Sequence, residues 1–184
     1  MPGLISQRAF TFRCTGCGNC CRDTFITCTD ADVHRLVSGT GMAVRDVVRF
    51  ASRDEVVFDQ RHPYWIRFGD KKRVMVLRRR GRSCGFLDAE DRCTVYEHRP
   101  LVCREHPFET SLSTTGGLWG FRLARVPNCD HAWDGEVSKQ DVLTIARAHD
   151  GESDAYAQRV RAWNRERPGA GRPADFLRYI GFDT

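Results

Sequence analysis

A run of four cysteines within eight residues is the feature of this sequence most capable of chemistry. Residues 14–21 read Cys-Thr-Gly-Cys-Gly-Asn-Cys-Cys. Thiolate sulfur is the soft ligand that selects zinc, Cu(I) or iron–sulfur clusters. In a C-x2-C turn the loop N–H groups can face the first thiolate, and Gly16 and Gly18 can adopt the positive φ that such tight turns often need. The run therefore predicts a metal-binding knuckle.

Cysteines outside this run bring the total to nine. Two four-coordinate thiolate sites need eight ligands. We therefore predict two adjacent centres that share the N-terminal knuckle and bind zinc, or iron as an iron–sulfur cluster. The predicted ligands are Cys14, Cys17, Cys20, Cys21, Cys84, Cys93, Cys103 and Cys129. The ninth thiol, Cys28, has no ligand-like spacing and is interpreted as a small buried apolar side chain.

The neighbouring thiols Cys20 and Cys21 need a separate explanation, because side chains of adjacent residues usually point apart. We expect either that they serve different centres or that one of them is a bridging or free thiol. The spacing Cys14-x2-Cys17-x2-Cys20 also matches the first three ligands of a bacterial ferredoxin run, so the sequence leaves zinc and a [4Fe–4S] cluster both open. Histidines close to the cysteines could each replace a thiol as ligand, and these are His98, His106 and His131.

Arginines flank several of the cysteines and could compensate their charge. Four thiolates on Zn²⁺ leave a net charge of −2, which is costly to bury without a counter-charge. Arg99 and Arg104 are the strongest candidates, since a guanidinium can donate N–H groups to sulfur.

Two blocks of residues occur in order between positions 10 and 130. They read Phe12-x-Cys14-x2-Cys17-Gly18-x-Cys20-Cys21, then Cys84-x-Phe86-Leu87 followed by Cys93-x2-Tyr96-x2-Arg99-Pro100-x2-Cys103-Arg104-x2-Pro107-Phe108. Together they resemble the YkgJ-type cysteine-cluster family, a zinc- or iron-chelating domain with a CxxCxxCC signature. The resemblance implies that the same eight cysteines chelate the metal, and it implies no substrate. The signature also occurs in the longer flagellin lysine-N-methylases, but no methyl-donor site is recognisable in this sequence.

Hydrophobic periodicity predicts helices near residues 30–50 and in the last third of the chain, with strands between them. The predicted helices are Asp30–Val37, Val44–Ala51, a run from Ser138 interrupted at Gly151, Asp154–Arg167 and Ala174–Ile180. The predicted strands are Phe10–Arg13, Val56–Phe58, Tyr64–Phe68, Val74–Arg79, Cys84–Leu87 and Leu118–Leu123. We predict an α+β fold: a small antiparallel sheet with flanking helices, metal-pinned loops and a helical C-terminal third. The predicted units are a metal-chelating domain over 1–135 and a helical extension over 136–184.

The charge and hydrophobicity of the sequence limit the classes of binding partner that we expect. The formal net charge of +5 permits anionic partners without demanding them. Basic residues at 71–73 and 78–82 surround a predicted strand, which is typical of a hairpin with charged ends. We therefore expect no nucleic-acid partner. The sequence leaves a protein partner open. No run approaches the roughly 18 apolar residues of a membrane span. We therefore expect a cytoplasmic protein whose thiols are kept reduced.

These observations favour a metal-binding protein whose centres are structural or redox-active. An iron–sulfur oxidoreductase, or a protein-modifying enzyme related to the flagellin methylases, is one alternative. An adaptor that uses a zinc knuckle to bind protein or nucleic acid is another. The sequence leaves open whether the protein is an enzyme.

Overall fold

A computed structural model describes residues 11–115, 117–124, 129–167 and 171–183. The helices are α1 (Asp30–Thr40), α2 (Val44–Val47), α3 (Leu101–Glu105), α4 (Lys139–Glu166) and α5 (Pro173–Tyr179). The strands are β1 (Thr11–Cys14), β2 (Val48–Ser52), β3 (Ile66–Phe68), β4 (Lys71–Leu77), β5 (Arg79–Arg80), β6 (Ser83–Cys84), β7 (Phe108–Leu112), β8 (Leu118–Leu123) and β9 (His131–Ser138). Every pairing between them is antiparallel. The predicted α+β class is confirmed.

The largest sheet has three strands in the order β2-β4-β3. Its central strand, β4, is buried along residues 74–77 and covered by helices. The chain reverses between β3 and β4 at Gly69, whose φ of 64° glycine adopts readily. The preceding prediction of a strand at Tyr64–Phe68 is confirmed only for its second half.

Helix α1 begins at Asp30, as predicted, and continues three residues beyond the predicted end at Val37. Thr29 accepts a hydrogen bond from the backbone N–H of Asp32, and the Asp32 carboxylate accepts one from the backbone N–H of Thr29. This reciprocal capping box satisfies two backbone donors at the start of the helix. Gly41, with a φ of 69°, ends it. Both Val33 and Leu36 are fully buried, so α1 is anchored against the core.

Helix α4 runs without interruption from Lys139 to Glu166, and the break predicted at Gly151 is wrong. A glycine inside a helix costs about 1 kcal/mol relative to alanine. The buried side chains of Tyr156, Val160 and Trp163 lie on the C-terminal half of the same helix and outweigh that cost. Trp163 also donates its indole N–H to the Arg67 carbonyl oxygen, which ties α4 to β3.

Residues 44–51 do not form the single helix that their valine spacing predicts. Helix α2 ends at Val47, and the chain continues as β2, whose Val48 pairs with Leu77 of β4. Pairing with a buried strand here outweighs local helical periodicity, which is a weak determinant over so few residues. The strand predicted at Val56–Phe58 is absent from the structure, and the strand predicted at Cys84–Leu87 is confined to Ser83–Cys84.

Two ribbons stand beside the main sheet: β1 pairs with β9, and β7 pairs with β8. They enclose a second small core formed by Phe12, Phe108 and Val142. Strand β8 coincides with the prediction, whereas β7 and β9 were not predicted. The N-terminal strand was predicted to include Phe10, which lies outside the described residues. The predicted division of the chain between residues 135 and 136 falls inside β9 and stays a prediction.

Among the described helices none combines the length and the apolar character that crossing a membrane would require.

Candidate metal centre

One cavity of about 150 Å³ lies between the main core and the β1–β9 ribbon. All eight cysteines predicted to be ligands line it, and they come from distant parts of the chain: Cys14, Cys17, Cys20, Cys21, Cys84, Cys93, Cys103 and Cys129. The ninth cysteine does not line it. All nine thiols are free of disulfide bonds.

The N-terminal knuckle begins where β1 ends. The backbone N–H of Gly16 donates to the Cys14 sulfur at 3.4 Å, as a C-x2-C turn predicts. Gly16 and Gly18 have φ values of 72° and 68°, which confirms the positive φ expected of both. A Cβ atom at Gly18 would lie 3.0 Å from the backbone oxygen of Asp91, so the turn also needs glycine for space.

Cys20 and Cys21 lie in a one-turn 3-10 helix over Asn19–Cys21, and their sulfur atoms are 3.9 Å apart. The expectation that the two side chains point apart is wrong, because this tight turn directs both toward the cavity. Sulfur atoms on one tetrahedral zinc, each at about 2.3 Å from the metal, are roughly 3.8 Å from one another. The separation therefore does not force these two thiols onto different ions.

Cys84 lies directly across from Cys21, because Arg22 and Ser83 form an isolated β-bridge. The Cys21 thiol hydrogen-bonds both Cys20 and Cys84. These hydrogen bonds lower the pKa of Cys20 and of Cys84 to about 7 and raise the pKa of Cys21. These three sulfur atoms thus lie within hydrogen-bonding reach of one another, an arrangement in which a metal cation can take the place of a shared proton.

Cys93 and Cys103 approach the cavity from two further segments. Cys93 forms a β-bridge with Leu87, next to the segment that carries Cys84. Cys103 lies on α3, and its backbone N–H bonds to the Pro100 carbonyl. Burial is the largest influence on both thiols and raises the pKa of each.

Helix α3 is held in place by Asp32, which sequence reasoning did not identify as part of the site. The Asp32 carboxylate is buried and accepts a hydrogen bond from the backbone N–H of Leu101 at 2.9 Å. It also pairs with Arg35 at 2.8 Å. The capping-box spacing of Thr29 and Asp32 was the signal in the sequence, but the link to α3 requires the tertiary structure.

Cys129 reaches the cavity because β9 pairs with β1. Cys14 is the register partner of His131, and the Thr15 hydroxyl donates to the Asp130 carbonyl at 2.6 Å. The His131 ring lies 2.8 Å from the Cys129 carbonyl oxygen. Burial raises the pKa of Cys129 to about 12, with further contributions from Cys17 and Cys14.

Cys28 is fully buried in the main core, as predicted. Its backbone N–H bonds to the Met75 carbonyl of β4, and its sulfur lies 3.8 Å from the Ile26 carbonyl oxygen. Burial raises the pKa of this thiol, so that it stays protonated.

A family model described as "CxxCxxCC: Putative zinc- or iron-chelating domain" matches residues 13–119, more than half of the chain. The chain belongs to this family. The match includes every predicted ligand except Cys129, which the fold alone brings to the cavity.

Relatives of this CxxCxxCC protein add little about its role. The uncharacterized protein MJ0661 of Methanocaldococcus jannaschii is 26% identical over 132 residues, which cover 66% of this chain and 60% of that protein. The chain thus aligns with less than two thirds of its relative's length. No solved structure matches the chain.

Polar groups of the cavity wall fit a thiolate-bound metal of the kind that the CxxCxxCC family is described to chelate. The guanidinium of Arg99 stacks on the Tyr96 ring, and the buried Nε atom of Arg99 has no hydrogen-bond partner among the described residues. The same holds, within the described part of the chain, for the buried Nε2 atom of His106. Burial lowers the pKa of His106 and keeps the ring neutral. Both side chains line the cavity, where metal-bound sulfur would accept a hydrogen bond from either.

Of the three histidines proposed as substitute ligands, only His106 lines the cavity. The His131 ring stacks on Phe12 at 5.8 Å, and the His98 ring packs against Gly39.

Across the described ranges, no group of three or more histidine, cysteine, aspartate or glutamate side chains is arranged to hold a metal ion. The eight thiols therefore share the walls of one cavity without forming a coordination sphere as they stand. The cysteine side chains therefore have to rearrange before they can coordinate a metal ion.

Proposed function

We propose that this protein binds zinc, or iron as an iron–sulfur cluster, through eight cysteines arranged in two centres, and that the metal is structural. The observation that carries the proposal is the cavity lined by all eight thiols while the ninth lies in the core. The family description supports zinc or iron as the metal.

A structural role follows from how the thiols are distributed. They belong to the knuckle, to β6, to the segment after it, to α3 and to the segment before β9. Residues 81–107 contain only two short helical segments and the two-residue strand β6. Metal would cross-link these loops directly, and a structural zinc site contributes on the order of 10 kcal/mol to folding. Arg99 supplies positive charge against the thiolates.

A redox role is the second candidate. Its support is the Cys14-x2-Cys17-x2-Cys20 run with the distant thiol Cys129 at the same cavity, an arrangement that suits a [4Fe–4S] cluster completed by a remote cysteine. An exposed Cys14 would leave such a cluster close to the surface, where electrons can be exchanged.

Elemental analysis of anaerobically purified protein, beside its visible spectrum, tests the proposal. Colourless protein with two zinc ions per chain supports the structural role, and brown protein with iron and sulfide supports the redox role. Cys17→Ser and Cys103→Ser are expected to lose metal and solubility together, whereas Cys28→Ser is the matched control and keeps its metal. Protein with neither metal, or equal metal loss in all three variants, would refute the proposal.

A further inference from the structure

The eight thiols differ in their exposure to solvent. Cys14 is exposed, whereas Cys17, Cys20, Cys93, Cys103 and Cys129 are half-buried. Cys21 and Cys84 are only 8% and 5% exposed. Cys14, at the end of β1, is therefore the thiol that a molecule in solution reaches most easily.

Contacts place Cys14, Cys17 and Cys129 together at the accessible end. The hydrogen bond from Thr15 to the Asp130 carbonyl joins the knuckle to the residue after Cys129. The Cys129 thiol is influenced electrostatically by Cys17, then Cys14, then Cys20. The Cys20 sulfur lies 3.9 Å from that of Cys21, so this thiol is at the boundary between the two ends of the cavity. We group it with Cys14, Cys17 and Cys129 as the third thiol of the Cys14-x2-Cys17-x2-Cys20 run, and we call these four the outer set.

The remaining four thiols are joined by contacts on the core side. Cys21 hydrogen-bonds Cys84, and the β-bridge of Leu87 with Cys93 brings that thiol beside the same loop. The Cys103 thiol is influenced electrostatically by Cys84 before any other cysteine. Two of these side chains, Cys21 and Cys84, belong to the main hydrophobic core. We call Cys21, Cys84, Cys93 and Cys103 the inner set.

We infer that the inner set holds a resident ion and that the outer set is a separate, exchangeable site, from which metal passes to thiol ligands supplied from solution. The inference rests on the proposed function, because it divides the same eight ligands. Burial of Cys21 and Cys84 protects the inner set from competing ligands, while the exposed Cys14 sulfur gives an incoming thiol a place to attack.

The exchange needs no electron transfer. An incoming thiol gives up its proton and forms a sulfur–metal bond, while the bond from Cys14 to the metal breaks and the Cys14 sulfur takes up a proton. Repetition at the other outer thiols completes the transfer. Thiolates are the ligands that compete best for a soft metal, so a thiol is the class of acceptor that this site suits.

Release of zinc from the fully loaded protein to a chromogenic pyridylazo chelator, and separately to reduced glutathione, tests the division. We expect one equivalent to leave roughly tenfold or more faster than the other, which corresponds to about 1.4 kcal/mol in the barrier. In Cys14→Ser only the slow equivalent should remain, whereas Cys28→Ser should release metal in the same two phases as wild type.

Alkylation of the loaded wild-type protein, followed by mass spectrometry, keeps the test independent of how the variants fold. Thiols of the outer set should react with the alkylating reagent before those of the inner set. They should react faster still after the rapidly released zinc ion has been removed. Two equivalents released at one rate, or inner thiols alkylated first, would overturn the inference while leaving the proposed function intact. Protein that binds no metal would overturn both.

Discussion

The guanidinium of Arg99 lies 3.6 Å from the centroid of the Tyr96 ring, at the wall of the cysteine cavity. This stacking holds the cation against the thiols, and Arg99 lowers the pKa of Cys20 as the last of several contributions, after the Cys21 hydrogen bond. Tyr96 itself is 45% exposed and supports the arginine from the solvent side.

Arg99→Gln is expected to weaken metal binding by about ten- to a hundredfold, because removing a group that contacts the ligands of a metal typically costs this much affinity. Arg99→Lys should recover part of the loss, since it restores charge without the planar stack on Tyr96. Competition with a metal chelator measures both. Arg165→Gln, on the exposed face of α4, is the control. Unchanged affinity in Arg99→Gln would show that this cation plays no part at the site.

Gly18→Ala should disrupt the knuckle, because its φ of 68° and the backbone oxygen of Asp91 at 3.0 Å both oppose a side chain. Gly81→Ala is a matched control: its φ is 59°, and nothing lies within 4 Å of the added carbon. The left-handed conformation alone costs about 1–2 kcal/mol, so Gly81→Ala should lose about that much stability and keep its metal. Gly18→Ala should lose more stability, and metal with it. Denaturant titration and elemental analysis compare the two, and equal behaviour would contradict the crowding argument.

Asp32→Asn is expected to destabilise the loaded protein by about 1–3 kcal/mol, because it removes one of the two carboxylates that pair with the partly buried Arg35 and weakens the bond to the Leu101 N–H. Since α3 carries Cys103, the visible absorption of a cobalt-substituted sample should change as well. Asp46→Asn, on an exposed position of α2, is the control for carboxylate removal. A cobalt spectrum identical to that of wild type would show that Asp32 stabilises the fold without positioning the thiol.

The ion pair between Glu105 and His149, 2.6 Å apart, predicts a pH-dependent contribution to stability. The hydrogen bond with Glu105 raises the pKa of His149 above its ordinary 6.5. The stability that His149 contributes is therefore fully present below pH 6.5 and is lost as pH rises through the raised pKa. Burial opposes ionisation of Glu105, but its bonds to His149 and Thr110 prevail and lower its pKa below 4.5. The stability that Glu105 contributes is therefore present above pH 4.5 and is lost as pH falls through its lowered pKa.

A double-mutant cycle with Glu105→Gln and His149→Gln isolates this pair from the titrating thiols. The coupling should be about 1–3 kcal/mol near pH 6, the range for a hydrogen bond between charged groups, and should fall toward zero near pH 9. A coupling that is equal at both pH values would mean that the histidine stays neutral.

The grouping of eight cysteines around one cavity could be predicted because metal chemistry restricts residue type, and because C-x2-C spacing is a local property of the chain. The same holds for the start of α1, whose capping residue Thr29 directly precedes the helix in the sequence. The role of Asp32 could not be predicted, since it depends on a contact with Leu101, a residue distant in the sequence.

Strand β9 is an element that the local sequence could not predict. Its residues are half-buried or exposed and carry no clear alternation of apolar side chains, so only pairing with β1 makes them a strand. Strand β2 was mistaken for helix for a similar reason, because its partner β4 lies far along the chain. Long-range pairing is the information that a local pattern does not contain.

The pairing of β1 with β9 also imposes an order in time on the maturation of the protein. A ribosome must synthesise residue 138 before the first strand finds its partner, and Cys129 before the outer set has all four of its thiols. A nascent chain that has emerged only as far as α3 already contains every thiol of the inner set. Translation therefore offers seven of the eight thiols to the cell's metal supply before Cys129, which completes the outer set last.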